Sequence, residues 1–285
     1  MKRFATIFFC AFSILGANLL ANDDTPPKEL LQLLHDHTPL KPTKVFDDVY
    51  CLGTKSVVAY AITTSGGIIL IDAMWDNDDA KVIEDGLKAY NLDPKDVKII
   101  LITHGHGDHY GGAKYFQDKY NAKVMMSAID KDFMYSYNEG PNDPKYPKPT
   151  INHLLKDKEI IKLGNKEIKT FLTPGHTIGT TSIIFESSFN GKKFNVFLWG
   201  GNGISKDKNL QIAYDKSLDE FKKELDKNNV VAKLESHLFQ DNGYEKLENI
   251  YNNNFKTHPY IIGKEGIDAW YKEYKGHIKA KLNNN

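Results

Sequence analysis

The chain has 285 residues, 37 basic against 37 acidic side chains, and two cysteines. A formal charge of zero with scattered lysines excludes the basic footprint of a nucleic-acid binder. The length supports one large core without disulfide staples.

Met1-Lys2-Arg3 precedes an apolar run from Phe4 to Leu20, and Ala21-Asn22-Asp23-Asp24 follows. That order reads as a secretory signal peptide, residues 1–21, leaving 22–285 as one domain in the periplasm or outside the cell. Ser13, Gly16 and Asn18 interrupt the run, which is marginal for spanning a bilayer, so no stable membrane insertion is expected after cleavage. Cys10 lies inside the run, which leaves Cys51 as the single cysteine of the processed chain.

Pro26-Pro27 followed by Leu30, Leu31 and Leu34 predicts a short helix. Three strands follow at 49–52, 57–62 and 68–71, the last two joined by Ser65-Gly66-Gly67. Ala80, Ile83, Leu87 and Tyr90 recur at helical spacing, and Ile99-Ile100-Leu101-Ile102 reads as a strand buried on both faces. A helix over 111–120 and a strand over 122–126 come next. Ser127 and Asp130 read as a capping pair for a helix to about Tyr137. Residues 139–150 carry four prolines and form a loop, flanked by Tyr135, Tyr137 and Tyr146 as pocket or packing residues. Strands are expected at 168–172, 181–185, 194–199 and 230–234. Helices are expected near Leu218–Leu225, Tyr244–Tyr251 and Ile267–Ile278. The alternation supports an α/β class and leaves the topology open.

The chemistry concentrates at Thr103-His104-Gly105-His106-Gly107-Asp108-His109, four potential metal ligands directly after a buried strand. Neutral imidazole and carboxylate suit zinc, and Gly105 and Gly107 are read as allowing sharp turns that aim neighbouring side chains at different centres. Pro174-Gly175-His176-Thr177 and Glu235-Ser236-His237 each place a further histidine after a strand. His35, His37, His153, His258 and His277 have no such motif and read as structural or surface groups.

Residues 104–109 match the His-x-His-x-Asp-His signature of the metallo-β-lactamase superfamily, and Pro174–Thr177 and Ser236-His237 resemble its later ligand motifs. Val49–Thr54, Ile69–Asp72 and Leu155–Gly164 resemble segments of its third subclass. The resemblance implies an αββα sandwich with ligands along one edge. It assigns His104, His106 and His176 to one zinc, and Asp108, His109 and His237 to a second. It implies hydrolysis of a small-molecule cyclic amide, a β-lactam, by a metal-bound hydroxide that Asp108 orients, and hence antibiotic resistance. The alternatives are a lactonase or other amide or ester hydrolase, or a metal-binding member without catalysis. Trp199-Gly200-Gly201-Asn202-Gly203 lacks the bridging Asp of thioesterase relatives, which argues against them. It leaves Asn202, Ser205 and Lys206 as candidate contacts for a substrate carboxylate.

Overall fold

The computed structural model describes residues 28–136 and 146–284. The expected signal peptide, Tyr137 and most of the proline-rich loop lie outside the described residues. Among those residues, no helix is long and apolar enough to cross a membrane.

Two sheets form the centre. The first has seven strands in sequential order: β1 (Thr43–Phe46), β2 (Val49–Gly53), β3 (Val58–Thr64), β4 (Gly67–Ile71), β5 (Val97–Leu101), β6 (Lys123–Ser127) and β7 (Ile151–Leu155). Pairing is antiparallel up to β4 and parallel from there to β7. The second runs β12 (Val230–Leu234), β11 (Lys192–Leu198), β10 (Thr181–Phe189), β9 (Lys166–Leu172), β8 (Ile160–Leu163), with only β11 and β12 parallel. The helices are α1 (Lys28–Leu34), α2 (Asn77–Ala89), α3 (Gly107–Tyr110), α4 (Ala113–Tyr120), α5 (Ala128–Ser136), α6 (Lys208–Lys227), α7 (Gly243–Tyr251) and α8 (Gly263–Asn284).

Strand alternation explains the layering, because successive side chains point to opposite faces. Cys51, Tyr60, Ile62, Ile69, Ile71 and Leu101 meet Ile183, Phe185, Val196, Leu198 and Leu234 between the sheets. From the same strands Leu52, Ala61, Leu70 and Ile100 point outward, onto Ala80, Ile83 and Leu87 of α2 and Phe116 of α4. On the far side Ile184, Phe197 and Trp199 pack against Tyr214, Leu218 and Phe221 of α6 and Ile267 and Trp270 of α8. The result is the expected αββα sandwich.

Three sequence expectations need correction. The helix expected over 111–120 is α4, starting at Ala113, but a separate short helix, α3, precedes it inside the histidine motif and was not expected. Strands β7 and β8 had no counterpart in the reading: both expose alternate positions, and His153, Lys162 and Ile160 blur their pattern. The Ser127–Asp130 pair caps in one direction only. Ser127 Oγ accepts from the Asp130 amide at 3.1 Å, while the Asp130 carboxylate turns to the site instead.

Candidate metal centre

Strand ends build the site. The C-terminal ends of β4, β5, β9, β11 and β12 converge on one edge of the sandwich, and each is followed by a loop carrying polar side chains. His104, Asp108 and His109 come from the segment after β5, His176 follows β9, and His237 follows β12. The ligand atoms of His104, His106 and His176 lie within 4.8 Å of one another, and so do those of His104, Asp108 and His109. His237 joins through Asp108, with Nε2 3.3 Å from Asp108 Oδ2. The six ligand candidates therefore meet in one place. His104 sits between the two groups that the resemblance keeps separate.

The imidazole tautomers follow from what the far nitrogens touch. His109 Nδ1 lies 2.7 Å from Asp72 Oδ2, an acceptor, so it carries the proton. His176 Nδ1 donates to Gly203 O at 2.8 Å, and His237 Nδ1 to Ser56 O at 2.9 Å. His104 Nδ1 faces Thr103 Oγ1 at 3.1 Å; that hydroxyl gives its own proton to Asp72, so it accepts from His104. Four rings thus turn a bare Nε2 inward. His106 is the exception and presents Nδ1, 3.0 Å from His176 Nε2.

This arrangement fits a metal. His104 Nε2 and His176 Nε2 lie 3.1 Å apart, and with both Nδ1 atoms protonated their lone pairs face each other. A cation between them turns that repulsion into coordination. His109 Nε2 is buried without a hydrogen-bond partner. Burial and the neighbouring rings of His109, His176 and His106 push His104 well below its usual range, and burial with His106 brings His176 down to about 3, so both stay neutral. Burial also opposes charge on His109, but Asp108 and Asp72 overcome it and raise it to about 9. A proton there balances the carboxylates when no metal does. Burial would raise Asp108, but His109 and His237 outweigh it and hold the carboxyl far below the usual carboxylate range.

Several supporting residues escaped the sequence reading. Asp72, fully buried and at φ 60°, receives Thr103 N at 2.8 Å, the Thr103 hydroxyl and His109. A carboxylate ending an apolar strand was its visible signal. Asp130 joins the two histidine loops, accepting from Gly105 N at 2.9 Å, Thr177 Oγ1 at 2.6 Å and Gly179 N at 2.7 Å. Burial raises its pKa against those three donors. Ser56 supplies the acceptor for His237 and takes a bond from Trp75 Nε1 at 2.8 Å.

The glycine reading changes too. Neither Gly105 nor Gly107 has a positive φ. A Cβ on Gly105 would meet Asp130 O at 2.8 Å, so close approach explains it, while Gly107 has ordinary clearance and opens α3. Two glycines after β11 lie against a ligand ring: a Cβ on Gly201 would sit 2.4 Å from His176 Cδ2, and one on Gly203 2.9 Å from its Cε1.

Of the substrate-contact candidates, Asn202 gives its amide to Glu235 Oε1 at 2.6 Å. Ser205 Oγ accepts from Asp207 N at 3.1 Å, beside the start of α6, and Lys206 is exposed. His37 pairs with Asp79 at 3.0 Å, and His35 and His37 each lie against the Trp75 ring; His258 is buried against Val45 O. These are structural roles, as expected for histidines outside the motifs.

A two-sheet sandwich with histidines and an aspartate on loops along one edge defines a class, the fold and ligand set of metal-dependent hydrolases. Residues 52–188 match the family model described as the metallo-beta-lactamase superfamily, and the chain carries a domain of that superfamily. The structure resembles native FEZ-1 metallo-beta-lactamase from Legionella gormanii, with TM-score 0.75 and 23% identity over 87% of this chain and 97% of that one. It also resembles GOB-18 from Elizabethkingia meningoseptica, with TM-score 0.75 and 23% identity over 93% and 98%. Among curated proteins, a probable metallo-hydrolase of Bacillus subtilis, YybB, is 25% identical over 111 residues, 36% of this chain and 50% of its own length. A hydroxyacylglutathione hydrolase of Pelagibacter ubique is 37% identical over 98 residues, 33% of this chain and 35% of its own length. The chain thus spans half or less of the length of these curated relatives.

Proposed function

We propose that the chain is an exported two-zinc hydrolase that opens a cyclic amide of the β-lactam type. The observation that carries this reading is the loop after β11. Gly201 and Gly203 press against the His176 ring, and the segment 200–206 carries no aspartate or glutamate of its own to bridge two metals. Metal ions held by His104, His106 and His176, and by Asp108, His109 and His237, would polarise a carbonyl and lower the pKa of a bound water. The chain's own groups do the rest. Asp108 Oδ2 lies 3.3 Å from His237 Nε2 and 3.5 Å from His109 Nε2, placed to accept a hydrogen bond from the attacking water and fix its direction. Asp72 holds the His109 ring, and Gly203 O holds the His176 ring, each in the tautomer that leaves Nε2 bare.

A thioesterase reading has one observation in its favour, the 37% identity to a hydroxyacylglutathione hydrolase over a third of the chain. A lactonase would use the same centre. The test is a panel of β-lactams, lactones and glutathione thioesters on the zinc-loaded chain. The proposal expects the highest kcat/KM on a β-lactam; faster turnover of the thioester would replace it with the second reading. Export has its own check. N-terminal sequencing of the cell-envelope fraction should find the chain beginning near Asn22, and full-length chain confined to the cytoplasm would contradict this.

A further inference from the structure

Glu235 is a buried carboxylate, 2% exposed, at the end of β12 and two residues before His237. Its Oε2 accepts from the buried Lys233 ammonium at 2.9 Å. Lys233 has a second anion in Asp241 at 3.1 Å, which also takes Lys246 at 2.6 Å. Pairing Lys233 therefore does not exhaust what Glu235 does. Its other oxygen accepts from Asn202 Nδ2 at 2.6 Å and, at 3.4 Å, from the His237 amide.

Asn202 stands between Gly201 and Gly203, the residues that flank the His176 ring, and Gly203 O receives the His176 Nδ1 proton. The loop's backbone is anchored at its two ends, where Gly200 N donates to Ser182 Oγ and Gln211 Nε2 to Ser205 O at 2.9 Å each; at Gly201 and Asn202 the Tyr214 hydroxyl reaches the two carbonyls only at 3.3 Å, long for a hydroxyl bond. The short, charge-assisted bond from Asn202 to Glu235 is the stronger restraint.

We propose that Glu235 and Asn202 form a positioning latch joining the loop that orients His176 to the turn that presents His237, so that the two metal sites are set by one shared carboxylate. Neither residue is assigned to a metal. The latch rests on the metal-centre reading above, and it gives Asn202 a role other than contact with substrate. A simple structural role predicts that Glu235 matters only as the partner of Lys233, and Asn202→Ala separates the two cases because Asn202 does not touch Lys233.

The experiment is zinc titration of the full chain against a competing chromophoric chelator, for wild type, Asn202→Ala, Glu235→Gln and Glu235→Ala. Long-range ¹H–¹⁵N spectra of the His176 imidazole in metal-free protein accompany it. Asn202→Ala should weaken zinc at one of two sites roughly 10–100-fold, the usual effect of losing a group that orients a ligand. Its metal-free unfolding midpoint should fall less than that of Glu235→Ala, which also unpairs Lys233, and its His176 signals should report a mixture of tautomers. Glu235→Gln keeps an oxygen for Asn202 and should bind zinc within a few-fold of wild type, whereas Glu235→Ala should weaken both sites. Wild-type zinc affinities and a single His176 tautomer in Asn202→Ala would overturn the latch and leave the metal centre standing. A wild-type chain that holds no zinc overturns both.

Discussion

The same strands end in polar residues at both edges of the sandwich, and the two edges resolve that polarity differently. At the edge away from the histidines, Asp48 pairs with Lys166 and receives Ser187 Oγ. Lys166 Nζ also donates to Glu186 O at 2.6 Å, and Asp47 takes Ser188 Oγ, Asn190 N and Gly191 N. Asp48, Lys166, Glu186, Ser187 and Ser188 line a crevice of about 270 Å³, and among the described residues none of its buried side-chain polar atoms lacks a partner. At the histidine edge the chain supplies acceptors and bare ring nitrogens in excess of protons. His109 Nε2 has no hydrogen-bond partner, and His104 and His176 turn lone pairs toward each other. One edge is closed by the chain's own charges; the other offers the ligand set of the proposed metal centre.

Asp108→Ala should break that contrast most severely. Asp108 is both a ligand candidate and the group that aims the attacking water, so the loss in turnover should exceed the factor of about 10²–10⁴ for one general base, with zinc lost at the same time. Turnover at saturating zinc, measured beside the metal content of the variant, checks this. Near-native turnover with two zincs would remove Asp108 from the mechanism.

Lys166→Met tests the opposite edge. The Asp48–Lys166 pair is mostly shielded from solvent, and Asp48 keeps its hydroxyl donor in the variant. Stability should fall by about 1 kcal/mol, read from urea unfolding, and zinc content should not change. A loss of zinc in this variant would mean that the two edges are coupled through the sheets.

Glu84 gives the smallest and most specific effect. It lies on α2, receives Lys119 Nζ and Tyr115 Oη at 2.7 Å each, and also pairs with Lys88. Burial alone would raise its carboxyl, but these partners bring it down to about 2 from an ordinary value of 4.5. A folded-state pKa below the unfolded one gives stability that is present above about 4.5 and is lost as the pH falls toward 2. Glu84→Gln should flatten unfolding midpoints across that window, with or without zinc. A wild-type acid limb that depends on zinc and not on Glu84 would contradict this.

Much of this was legible in the sequence, for physical reasons that particular residues show. The run Ile99–Ile102 could only be a strand buried on both sides, and four potential ligands directly after it could only sit at that strand's end. The ligand motifs are local, so spacing revealed them. The support for those ligands is not local. Asp72 meets His109 across 37 positions, Asp130 meets Gly179 across 49, and Ser56 meets His237 across 181. Sequence periodicity carries no trace of such pairings. Asn202 stood out for its place after Trp199, yet its partner Glu235 lies 33 positions away, and the reading gave it a substrate rather than a carboxylate.

The central claim is that the histidine edge holds two cations, for which the proton on His109 stands in only while no metal is bound. Elemental analysis of the folded chain, dialysed against zinc and then against metal-free buffer, tests it directly. Two full ligand sets predict about two zinc ions per chain; a single zinc at saturation, or none, would contradict the account.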